Sequence, residues 1–373
     1  MRLTFLIFLS IILIYSCSRR QTSQDFGVIQ FPNNPIELTN LSALCSSIEY
    51  IPLETNSRCL INNIDEIKFF GDSIFIINET GWNMKDILIF NTAGKFLGNF
   101  GEIGQGPEEL DLPRDIIRYG ENYLIWDRTK VVEFDKEGRF KQKLFDAFLH
   151  GNRFFIDSDM INLYHATEYP GMITQYDFNG NLINTIRPLT PNHINSAFEG
   201  ENVTYTDAGY NLFAPSFDTV WTITNNTIKP RYIFDFIGEM TLQVLYQNHA
   251  VEYPPEMAKI LGSNPTSNVR AYLENDNHLL LITLRNRKKA YKIIRKEDNR
   301  QLDFISCVND IDNGLFETPI TLTENMMVIP LQPTKIIDHL KRKNSDVESS
   351  FVKMARDVKE ADNPVLMLCR LKF

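Results

Sequence analysis

The sequence predicts an all-β, six-bladed β-propeller of four-stranded blades, and three observations carry that prediction. A hairpin recurs: DILIFNTAGKFLGNF from Asp86, VVEFDKEGRFKQKL at Val131–Leu144 and ITQYDFNGNLINTI at Ile173–Ile186 each join two strand-like runs through a Gly-containing turn. The turn glycines Gly94, Gly138 and Gly180 lie 44 and 42 residues apart, the repeat length of a propeller blade. Finally, the chain ends complement each other, since the last blade lacks one strand and the first stretch carries a spare one.

The chain opens with an address. Arg2 precedes the apolar run Leu3–Ile14, which is too short to span a bilayer comfortably. The sequence Ile14-Tyr15-Ser16-Cys17 follows and resembles a bacterial lipoprotein signal, with Tyr15 atypical for the pattern. That resemblance implies cleavage before Cys17 and its lipidation. Residues 1–16 therefore read as signal peptide, 17–35 as a polar tether without periodicity, and 36–373 as the propeller. Ser18-Arg19-Arg20 follows the cysteine instead of the acidic residues of surface-exported lipoproteins, which by that resemblance favours an outer-membrane anchor on the periplasmic side.

Ser47–Glu54 (SIEYIPLE) is the spare strand. Blade 1 runs IDEIKFF, SIFIIN, DILIFN, KFLGNF. Blade 2 runs RDIIRY, NYLIWD, KVVEFD, RFKQKL, and blade 3 RFFID, MINLYHA, MITQYD, NLINTI. Blade 4 is less regular: NVTYTD, YNLFAP, TVWTIT and KPRYIFDF. Blade 5 reads VRAYLEN, HLLLITL, KAYKIIR, QLDFISC. LFETPITL, MMVIPLQ and PVLMLCRLKF supply three strands of a sixth blade, which the spare strand completes.

Two insertions break the rhythm. Gly238–Asn268 contains a helical stretch at Glu256–Leu261 between Pro254-Pro255 and Gly262. Pro333–Asn363 carries Ile336, Ile337, Leu340, Val347, Phe351, Met354 and Val358 at the spacing of two amphipathic helices.

The stretches IEYIPLET at 48–55, NTAGKFLGNFGEIGQGPEEL at 91–110, FDKEGRF at 134–140 and NPVLMLCRLKF at 363–373 give the chain its likeness. It resembles the six-bladed β-propeller lipoproteins of Gram-negative bacteria, relatives of the NHL and TolB-like propellers. The resemblance implies a binding role and no settled chemistry.

The formal net charge of −9 argues against nucleic acid as a partner, because phosphate binding needs clustered Lys and Arg. Cys45, Cys59, Cys307 and Cys369 form no CxxC or zinc spacing, and the sequence leaves both buried thiols and a disulfide open. GEIGQGPEEL at 101–110 lacks the Lys-Ser/Thr of a phosphate loop and the helix of a dinucleotide fingerprint, so it reads as an inter-blade turn. Histidines 150, 165, 193, 249, 278 and 339 are scattered, and no GxSxG elbow occurs. No cofactor is indicated, although a channel Ca²⁺ or other divalent ion held from several blades would leave no local spacing.

Topology narrows the search. The start of each first strand shares one face with the loop joining strands two and three. That face collects Asp65, Trp82, Arg114, Asp115, Asp127, Arg128, His150, Arg153, His165, Tyr169, Arg270, Arg285 and Arg287, and both insertions open onto it. The expectation is a pocket over Arg114, Asp115, Arg128 and His165, walled by the insertions and suited to an anionic or sugar-like ligand. Solvated or capping roles for these charges are the plain alternative. Three function classes follow: a non-enzymatic envelope binding module for a small molecule, glycan or protein; a channel-metal hydrolase or lyase of the lactonase-like type; and a scaffold for other envelope proteins.

If Cys17 carries the anchor, Cys17→Ala moves the protein from the membrane fraction to the soluble fraction of fractionated cells. A variant that stays in the membrane pellet counts against the lipid anchor.

Overall fold

The computed structural model describes residues 27–147, 153–165, 173–186, 202–244, 266–343 and 348–373, apart from positions 33, 216, 242 and 286. Its first three strands are β1 (Gly27–Phe31), β2 (Ile36–Asn40) and, after the single-turn helix α1 (Leu41–Leu44), β3 (Cys45–Pro52). None of these belongs to the first blade. Blade 1 is the antiparallel meander β4 (Asn63–Phe70), β5 (Ser73–Gly81), β6 (Met84–Asn91) and β7 (Phe96–Asn99). Blade 2 is β8 (Pro113–Tyr119) to β11 (Phe140–Asp146), and blade 3 is β12 (Arg153–Asp157) to β15 (Leu182–Ile186). Blade 4 is β16 (Asn202–Thr206) to β19 (Thr227–Phe236), and blade 5 is β20 (Ser267–Glu274) to β23 (Arg300–Val308). Blade 6 comprises β24 (Thr321–Leu322), β25 (Met326–Leu331), β26 (Val365–Leu371) and β3. Helices α2 (Pro333–Lys343) and α3 (Ser350–Ala355) lie between β25 and β26.

The expected closure is present. β3 runs antiparallel to β26, with Ile51 opposite Leu366 and Glu49 opposite Leu368. Buried Asn363 fastens the seam. Its Nδ2 donates to the carbonyls of Glu54 and Cys59, both at 2.7 Å, and its Oδ1 accepts from Ile61 N at 2.8 Å. Beyond β26, Lys372 N and Phe373 N donate to Leu44 O at 2.9 and 3.1 Å. Middle strands carry continuous buried runs, Ile74–Ile77 in β5 and Val365–Cys369 in β26, that fill the layers between blades, as a sheet buried on both faces requires.

The tether expected through Pro35 ends sooner. β1 pairs in parallel with β19, and β2 pairs in parallel with β23, so the N-terminal segment adds a fifth strand to blades 4 and 5 before closing blade 6. GVIQF alternates correctly for an edge strand: Ile29 and Phe31 are buried while Val28 and Gln30 face solvent. Phe31 stacks on Phe236 with centroids 4.3 Å apart, and Lys292 Nζ lies 5.6 Å from its ring centre. Five residues without a hairpin partner leave no local signal of this pairing.

The recurrent turn has one construction. Asn91 Oδ1 accepts from Ala93 N and Lys95 N, Asp135 Oδ1 from Glu137 N and Arg139 N, and Asp177 Oδ1 from Asn179 N and Asn181 N, at 2.8–3.0 Å. The glycine in each has φ near +80°. Each also touches the preceding blade. A Cβ on Gly94 would collide with Pro52 O of β3, one on Gly180 with Phe145 of blade 2, and one on Gly138 would crowd Phe100.

This contact separates two glycines of similar backbone strain. Gly94 (φ +81°) abuts the closing strand, whereas Gly120 (φ +59°) has nothing within 4 Å of a Cβ. Gly120→Ala should cost about 1 kcal/mol and Gly94→Ala about 3 kcal/mol in urea denaturation. Equal losses would mean that the turn does not bear on the seam.

Candidate functional site

The inner strands enclose a cavity of about 910 Å³ on the propeller axis. Its wall is contributed by β4, by Arg153 at the start of β12, by β16 and β20, and by residues 318–324 around β24. Of the expected set, Asp65, Arg153 and Arg270 line this cavity. Glu66 and Lys68 line it too. Sequence reasoning missed them because it took only the starts of inner strands, whereas consecutive residues along the strand, Asp65 to Lys68 in β4, border the channel.

The wall at blades 1–3 is an interlocked set of charges. Arg153 Nη1 lies 3.8 Å from both Asp65 Oδ2 and Glu66 Oε2, and donates to Arg114 O at 2.9 Å. Lys85 meets Asp65 at 2.9 Å. Lys68 Nζ reaches Glu66 at 3.4 Å, makes a very short contact with Asp115 Oδ1, and donates to Ile116 O at 2.8 Å. Asp115 is buried, and its other oxygen accepts from Phe154 N at 3.1 Å, joining blade 2 to blade 3. Burial raises the Glu66 carboxyl above its usual range against the opposing pull of Arg153 and Lys68.

The remaining expected residues divide by role. Asp127 is buried and accepts from the amides of Asp111 and Leu112, at 3.0 and 2.6 Å, so it caps the inter-blade loop. Arg128, at φ +51°, pairs with Asp111 at 3.0 Å on the rim. Arg285 does not line the channel. It is buried, its guanidinium grips Glu239 and the carbonyl of Pro32, and it thereby clamps the N-terminal segment to blade 5. Trp82 stands 95% exposed at the tip between β5 and β6. His165 is buried beside the end of β13 (Met160–Tyr164). Arg287 sits in the turn after β21 (His278–Arg285), at φ +70°. His150 and Tyr169 lie outside the described residues. None of Arg114, Asp115, Arg128 and His165 lines the channel cavity, and Asp115 and Arg128 are engaged within the protein.

The second insertion packs downward. Ile336, Phe351 and Ala355 are buried in the blade 6 core, and Phe351 meets Tyr50 of β3 edge-on at 5.9 Å. Ser350 Oγ donates to Asp312 Oδ2 at 2.7 Å. No residue of α2 or α3 lines the channel cavity. The expected helix at 256–261, and most of the first insertion with it, lies outside the described residues.

At the far end of β20, Glu274 is fully enclosed. It accepts from Arg231 at 2.8 Å, Tyr232 OH at 3.0 Å and Asn211 Nδ2 at 2.8 Å, with Lys296 and Tyr272 OH also in contact. Cys45, Cys59, Cys307 and Cys369 are free thiols. Among the described residues, no three His, Cys, Asp or Glu side chains converge as a metal-holding group, and no helix is long and apolar enough to cross a membrane.

A family model described as a domain of unknown function, DUF4934, matches residues 26–370. No curated protein matches the chain. A crystal structure of a presumed exported protein of Bacteroides fragilis is 16% identical, with a TM-score of 0.76, covering 93% of this chain and 100% of that one. At that identity the likeness shows the fold alone. The WD40 domain of Neurospora crassa Pan2 (9% identity, TM-score 0.39, 64% of each chain) and PorZ, a surface component of the type-IX secretion system of Porphyromonas gingivalis (9%, 0.35, 72% of this chain and 29% of that), are too distant to bear on this one.

One further carboxyl stands out on the loop side of blade 4. Asp218 accepts from Thr241 Oγ1 at 2.6 Å, and burial pushes its pKa up to about 6. A raised carboxyl pKa favours the protonated folded state, so this contribution is complete below about pH 4 and is lost as pH rises through about 6. Asp218→Asn, which keeps the acceptor, should gain about 2 kcal/mol on the parent between pH 4 and pH 7 in denaturation experiments. A pH-independent difference would contradict the burial of this charge.

Proposed function

The chain belongs to the DUF4934 family, and from that premise we propose that it is an envelope-anchored, non-enzymatic binding module that takes a small polar molecule into its channel. One observation carries this reading: a cavity of about 910 Å³, within the size range of small-molecule sites, is walled by polar side chains from five blades. The wall is built in advance, because Asp65, Glu66, Lys68, Lys85 and Arg153 hold one another in place. Preorganised polar groups on rigid strands favour recognition, since little ordering remains to be done on binding.

The address supports an envelope location: a signal at residues 1–16 ending at Cys17, lipidation of that cysteine, and a propeller held on the periplasmic side of the outer membrane. The Bacteroides fragilis relative, presumed exported, agrees with this. The likeness to NHL and TolB-like propellers belongs to the same proposal.

The test is capture. Tagged protein purified from its own envelope under mild conditions is denatured, and the released small molecules are identified by mass spectrometry. Thr321→Trp, which places an indole in the cavity wall, should abolish capture while leaving the melting temperature near that of the parent. A blocked variant that folds and still releases the same compound would remove the channel from the reading.

A further inference from the structure

We infer that the channel ligand is neutral and rich in hydroxyl groups, a sugar or short glycan, rather than an anion; this rests on the channel being the binding site. The argument begins with charge. The cations lining the cavity are Lys68, Arg153, Arg270 and Lys289, and the anions are Asp65, Glu66, Asp276 and Glu324, Glu274 being enclosed by Arg231 and Lys296. The wall therefore carries no net positive charge to attract an anion. Lys68 and Arg153 lie against Asp115, Asp65 and Glu66, so an anionic ligand would compete with carboxylates already in place. Breaking such a part-buried pair leaves a charge uncompensated, which opposes binding.

The opposite arc has the complementary character. Asn202, Thr204, Thr318, Thr321 and Thr323, from blades 4 and 6, line it with amides and hydroxyls. Each can donate and accept, which is what a ring of ligand hydroxyls requires. Thr204 Oγ1, buried behind this arc, has no hydrogen-bond partner among the described residues. Beside it, Tyr205 lines the cavity as a residue 67% exposed, and Tyr210 braces its ring at a centroid distance of 5.0 Å. A braced, exposed aromatic face next to hydroxyls and planar polar groups suits the two surfaces of a sugar, an apolar C–H face and a polar edge.

The probes are maltose, cellobiose, lactose and sucrose as neutral ligands, with galacturonate and glucose 6-phosphate as anions. Binding to the full chain is read by saturation-transfer NMR and calorimetry. At least one neutral disaccharide should bind, with an affinity unchanged between low salt and about 0.5 M salt. Tyr205→Ala, an exposed position, should weaken it about tenfold. Binding by the anions with the neutral sugars silent overturns the inference, as does silence from all four disaccharides. Failure here is separable from failure of the channel reading. If envelope capture yields a channel-dependent compound that is not a neutral polyol, only the ligand class is wrong; if Thr321→Trp captures the same compound as the parent, the channel reading itself falls.

Discussion

The backbone hydrogen bonds between Cys45–Pro52 and Val365–Leu371 are the constraint on which the ring depends. A circle of sheets packed face to face has no natural end, and an open ring would expose the apolar faces of its first and last blades. Here the seam lies inside blade 6. Ile51 and Leu53 join Ile67, Ile74, Leu88 and Leu366 in one core, so the closing strand also fills the layer between blades 6 and 1. Asn363 fixes where the C-terminal strand enters, and its donors and acceptor all meet the loop that leaves β3.

Much of this was legible. The recurrent turns announced themselves because Asn91, Asp135 and Asp177 perform the same backbone capping, and each is followed three residues later by a glycine at positive φ. The closure was legible from strand counting. β1 and β2 were not, because parallel edge pairing needs no turn and leaves no spacing; Gly27–Phe31 is recognised only through its contact with a strand two hundred residues away in sequence. Charged loop residues gave a mixed return. Asp65, Arg153 and Arg270 reach the channel as topology required, whereas Asp127 and Arg285 serve internal joints. Arg285 shows why: its partners Pro32 and Glu239 come from distant segments, and nothing local distinguishes a clamp from a ligand contact.

The channel wall shows how a propeller carries charge near its axis. Each inner strand brings polar side chains toward its neighbours, and isolated charges there would be strongly unfavourable. Alternation solves this: Lys85, Asp65, Arg153, Glu66, Lys68 and Asp115 form a chain in which each charge meets its opposite across three blades. Asp115 then ties that chain to the Phe154 amide. The same groups that shape the wall therefore also join blades 1, 2 and 3.

The N-terminal segment has a consequence for how the molecule comes to exist. Residues 27–52 are the first of the described residues to be made, yet their partners lie in blades 4, 5 and 6. Blades 1 to 3 contain only local hairpins and can assemble as the ribosome delivers them. Within the leading segment, β1 can pair once β19 is made and β2 once β23 is made, but β3 must wait until β26 is complete. Its contacts span most of the sequence, and such pairings form late because a large loop is closed before any of them is made. Until then the edge of blade 6 is open and the apolar side chain Ile51 lacks its partner Leu366. This interval is when the chain is most open to misassociation, and the final annealing step covers the open edge of blade 6.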